Sequence, residues 1–171
     1  MAYLRRLLVG AIGAATLVGA ASVGVSAHEG GTLVEFDSMT PVTGAAVGAV
    51  NDRGIKGGGL PWVITSGRGE VTRDGHVSAS VKGLIIEVAP VNGKNPIANF
   101  SATVSCITPH GIVNVTTGLF PATSTGDATI SANVMLPHPC RHPEVFVGTT
   151  NATTGAFAWF AMSNAEEEGD D

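Results

Sequence analysis

Apolar and polar residues alternate along much of this chain. In HVSASVKGL, Val77, Ala79 and Val81 fall on one side and Ser78, Ser80 and Lys82 on the other. In NFSATVSC, Phe100, Ala102, Val104 and Cys106 share a side, and in DATISANVML so do Ala128, Ile130, Ala132, Val134 and Leu136. A period of two is the mark of a strand with one buried and one wet face, the pattern of an antiparallel sheet. The alternation and its flanking turn residues predict strands near 32–37, 60–66, 69–73, 76–90, 98–107, 111–116, 126–136, 144–149 and 155–162, with a bend at Gly83 in the fourth. No helical period appears after the first 27 residues.

Turn chemistry agrees. Asp74-Gly75 and Asn92-Gly93 are pairs favoured where a hairpin needs positive φ at both central residues. Short strands at regular spacing, separated by Gly, Pro, Asn and Thr, predict a sandwich or barrel. The fold expected is all-β: a single immunoglobulin-like antiparallel sandwich. Residues 41–59 read as a loop, or a weak edge strand and a loop. Gly57-Gly58-Gly59 lacks the following helix that a phosphate cradle needs, so it reads as structural.

The start of the chain has a different character. MAYLRR is basic, the next residues are apolar and small, and Val25-Ser26-Ala27 fits a signal-peptidase site. We expect residues 1–27 to be a cleaved signal peptide, 28–165 the sandwich domain, and 166–171 a disordered acidic tail, with a bacterial, secreted or cell-surface location and no membrane span in the mature chain. Arg5-Arg6 lacks the neighbours of a twin-arginine signal. Removing that pair leaves seven of the nine basic residues against fourteen acids, a net of −7, and five of those acids lie in the tail. With no basic patch, nucleic acid is not an expected partner. Charged residues make up only 13% of the 171, and Gly, Ser, Thr, Val and Ala dominate.

The chemistry is concentrated near Leu136–Glu144, LPHPCRHPE. In an oxidising compartment two cysteines, Cys106 and Cys140, read as a disulfide. The rival is a zinc or copper site. If the segment is extended, His138, Cys140 and His142 point to one face, and His110 could join them. Cleavage after Ala27 would expose His28, which could bind copper through its amine and imidazole, with His76, His110, His138 or His142 as further ligands.

No G-x-S-x-G, S-x-x-K, H-E-x-x-H or C-x-x-C occurs, which favours a non-enzymatic protein. A carbohydrate-binding module would need exposed aromatics. The candidates are Trp159, within a strand apolar on both faces, and Trp62 beside Pro61. Trp159 is expected to be covered, because large exposed apolar patches are uncommon. The N-x-S/T triplets at Asn99, Asn114 and Asn151 follow from Ser/Thr richness.

RGIKGGGLPWVITSGRGEV and VFVGTTNATTGAFAWFAM resemble a group of small exported bacterial β-domain proteins without an assigned function. The resemblance implies a secreted β-domain and lends no site residues. The expected role is an extracellular interaction or structural module whose partner is an unspecified protein or surface component.

Overall fold

The computed structural model describes residues 31–164. Strands dominate: β1 Thr32–Phe36, β2 Met39–Pro41, β3 Lys56–Gly57, β4 Ser66–Thr72, β5 His76–Lys82, β6 Asn99–Thr108, β7 Gly111–Thr116, β8 Phe120–Pro121, β9 Ala128–Asn133, β10 Arg141–Thr150 and β11 Phe157–Ser163. Among the described residues the one helical element is a 3-10 turn, Gly44–Ala46. No helix among them is long and apolar enough to cross a membrane.

The strands form two packed antiparallel sheets. The first has the order β1-β4-β5-β9. The second has the order β2-β11-β10-β6-β7, with β3 beside β11 and β8 beside β6. The core lies between them and is built by the alternation. Val77, Ala79 and Val81 of β5 are buried, with Ile130 of β9 registered against Ala79. They face Phe100, Ala102, Val104 and Cys106 of β6 and Val145 and Val147 of β10, all fully buried.

Several boundaries differ from those the pattern predicts. Of residues 60–66, only Ser66 lies in a strand, as the first residue of β4. Pro61 has no N–H for a ladder, and Val63 makes only a single bridge, to Ile85. The long strand over 76–90 stops at Lys82, because Gly83 turns the chain with φ +63°. Leu84 and Ile86 still reach the core, from an irregular segment. The two turns divide. Asn92 and Gly93 both have positive φ, as expected, but of Asp74-Gly75 only Gly75 does. Gly75 N donates to Thr72 O and the Thr72 hydroxyl bonds Asp74, so a side chain completes that turn.

The largest departure concerns β6. Its second face, Ser101, Thr103 and Ser105, is as buried as the first. A hairpin over residues 48–58 starts at the edge of β11 and reaches across this outer face to β10 and β7. The face carries small hydroxyls that fit beneath the hairpin, and two of the three keep a side-chain hydrogen bond. Thr103 Oγ1 lies 2.7 Å from Thr116 Oγ1, and Ser101 Oγ 3.4 Å from Thr150 Oγ1.

Candidate functional site

The segment from Leu136 to Glu144 leads into β10, the direct neighbour of β6. Arg141 registers with Ile107, and Glu144 with Ser105 after a register shift. Cys106 and Cys140 therefore meet as neighbours within one sheet and form a disulfide with Cα atoms 4.8 Å apart. Both sulfurs are committed to that bond, so neither is a thiolate that could hold a metal.

The one-face arrangement of His138, Cys140 and His142 does not form. It required an extended run. His142 instead has φ +43° inside the register shift, which re-aims its side chain. His138 and His142 are exposed, as is His110 at the β6–β7 turn. Among the described residues no three His, Cys, Asp or Glu side chains are grouped to hold a metal ion. His76 lies on β5, with Nδ1 3.0 Å from Asn133 Oδ1. His28 and the acidic tail lie outside the described residues.

Trp62 and Trp159 are 2% and 4% exposed, so neither offers the ring face that sugar stacking would need. Trp62 lies in the core, stacked on Phe160 at 4.1 Å between ring centroids and edge-on to Phe100 at 6.3 Å. Trp159 is on the other side of β11, edge-on to Phe146 at 5.8 Å, in the outer layer under the hairpin. The triple glycine serves this packing. A Cβ on Gly57 would meet Ala46 O at 2.2 Å, and one on Gly58 would meet Trp62 Nε1 at 2.9 Å.

The hairpin brings one charged group into this layer, and no motif pointed to it. Arg53 is 6% exposed. Its Nη2 donates to His142 O at 2.9 Å and to Glu144 Oε1 at 3.0 Å, and Asn114 Nδ2 donates to Arg53 O at 2.9 Å. Arg53 thus pins the hairpin to β10 and β7. Its Nη1, Ser105 Oγ and Trp159 Nε1 are buried without a hydrogen-bond partner, and all three belong to this outer layer. The only sequence signal is the gap itself: a glycine-rich stretch with one arginine between Asp52 and Gly54.

The two partners of this ion pair are unequal, which yields a prediction. Glu144 is 30% exposed and can be solvated alone, whereas Arg53 cannot. Glu144→Ala strands a buried guanidinium and is expected to cost about 2–3 kcal/mol. Arg53→Met removes the charge with its burial cost and is expected to cost about 1 kcal/mol or less. Urea denaturation of the two variants checks the order; equal losses would mean that Arg53 is not desolvated as described.

Two surface depressions are small. One, of about 240 Å³, is lined by Ser80, Lys82, Pro121 and Asp127 among others. The other, of about 130 Å³, lies beside the disulfide between Leu33, Arg73, Leu136 and His138. Both fall below the roughly 300–1,000 Å³ of ordinary ligand pockets. Comparison with protein-family models, with curated proteins and with solved structures finds no match for this chain.

Proposed function

We propose that this chain is an exported, immunoglobulin-like β-sandwich module that works by binding or by holding structure outside the cytoplasm, without catalysis. The observation that carries the reading is the Cys106–Cys140 disulfide. Such bridges persist in oxidising compartments and are rare in the cytosol. The basic, apolar and small-residue run ending at Ala27 supplies the route, with His28 as the mature N-terminus. The immunoglobulin-like type rests on two packed antiparallel sheets with strands crossing between them. The bridge departs from the antibody pattern, since it joins neighbours within one sheet. The partner is an extracellular protein or surface component.

The intact mass of untagged protein recovered outside the cell, before and after reduction, tests this. The expected species starts at His28 and gains two hydrogens on reduction. A cytoplasmic chain with two free thiols would overturn the export reading. A bound copper or zinc that leaves when His28 or His138 is changed would make the protein a metal handler.

A further inference from the structure

Strand β7 ends its sheet, and which of its backbone groups are unpaired follows from the register. Thr117 N donates to Ala102 O at 2.8 Å, continuing the β6–β7 ladder in which Val115 faces Val104 and Val113 faces Cys106. In an antiparallel pair, inward-bonding residues alternate with outward-facing ones. Val113, Val115 and Thr117 therefore bond to β6. Ile112, Asn114 and Thr116 aim their N–H and C=O away from the sheet. Ile112 is 45% exposed and Val113 37%.

We propose that this edge pairs with the same edge of a second copy, antiparallel about a two-fold axis at Asn114. In that register Asn114 faces the second copy's Asn114, and Ile112 faces the second copy's Thr116. Every outward donor and acceptor on these three residues is then paired. Val113 falls opposite the second copy's Val115, a β-branched pair suited to adjacent strands.

Charge and edge chemistry select this edge and this occupant. A two-fold axis brings identical residues together, so a charge near it meets its own copy. Gly111–Thr116, GIVNVT, contains no charge and no proline, and the Arg53 charge tethered beside Asn114 is buried and paired with Glu144. The other edges are guarded in the ways that prevent edge pairing. On β1, Glu35 already faces Glu70. Strand β2 ends in Pro41. The free side of β9 is occupied at Ala128 by Ala122. The pairing draws on β7 alone and does not depend on the export reading.

A strand edge buries less than a standard interface, so the dimer is concentration-dependent, with a Kd on the order of 10–100 µM. Light scattering of the disulfide-intact protein is expected to show the mass doubling as concentration rises from about 1 to about 300 µM. Ile112→Pro removes an outward N–H and no ladder bond to β6, and is expected to weaken the dimer at least tenfold with circular dichroism unchanged. Asn114→Cys places the two new thiols at a hydrogen-bonded pair, about 5.5 Å between Cα atoms, where a disulfide forms. Mild oxidation is expected to give a covalent dimer. Ile112→Cys is not expected to, because its two copies stand about 13 Å apart along the strands. The proposal is overturned by a monomer at every concentration, by a monomer that takes an added extended peptide instead, or by Ile112→Cys cross-linking as readily as Asn114→Cys.

Discussion

Replacing Trp62 with alanine is expected to destabilise the protein by about 3–5 kcal/mol, the cost of emptying a large aromatic site in a core. Trp62 sits outside any regular strand, so its indole, not a ladder, secures this stretch of chain. Its ring stacks on Phe160 and meets Phe100 edge-on, while its backbone N–H donates to Val42 O. Gly58 lies against the indole at Nε1 and has no side chain to fill a void. The cavity can therefore collapse only partly, which places the loss toward the upper part of the range. Trp62→Phe keeps a ring against Phe160 and is expected to lose about half as much. Thermal melts read both, with a drop of roughly 10–15 °C for the alanine variant. The same experiment distinguishes packing from recognition: a sugar-stacking Trp62 would be exposed, and its removal would leave the melting temperature almost unchanged.

That contrast shows how far the pattern of residues reaches. The core faces of β5 and β6 were readable because a period of two decides which side is buried. Val77, Ala79, Val81 and the four core positions from Phe100 to Cys106 are where alternation puts them. The cysteine pair was readable because strands ending near one another can be joined if they are neighbours, and β6 and β10 are. The covering of Trp159 was readable from a strand apolar on both sides, since such a strand needs something over each face.

Other features escaped because a single residue changed the period. Between Val147 and Gly148 the β10–β11 register shifts, so Ala161 faces Val147 while Met162 faces Phe146. Strict alternation along Phe157–Ser163 would instead place Ala161 on the same side as Trp159. A bulge is invisible to a period of two and flips every residue beyond it. His142 escaped in the same way. The extended run that would have aligned it with His138 is broken by its own positive φ. The buried hydroxyl face of β6 escaped for another reason. Ser and Thr look wet in sequence, whereas a hairpin over residues 48–58, whose contacts are long-range, reaches across this face. Arg53 belongs to the same blind spot, since its partner Glu144 is 91 residues away.

Removing the disulfide with Cys106→Ala and Cys140→Ala together is expected to cost about 3–4 kcal/mol. The bridge closes a sequence separation of 34, and the loss of that constraint raises the entropy of the unfolded chain by about this amount. The folded state loses less. Cys106 is fully buried and alanine leaves only a small void there, while β6 and β10 remain paired from Glu144 onward. The native fold should thus survive, with unchanged circular dichroism and a lower denaturation midpoint. A local effect should accompany the global one. The bridge clamps the end of the β6–β10 pair where the register shift interrupts the ladder. Amide exchange is therefore expected to quicken around residues 137–143 while Val104 and Val145 stay protected. A loss below about 1 kcal/mol would mean that the unfolded chain stays compact around these residues without the bridge. A loss well above about 5 kcal/mol would mean instead that the clamp holds the hairpin of Arg53 in place through His142 and Glu144, making the bridge and the outer layer one cooperative unit.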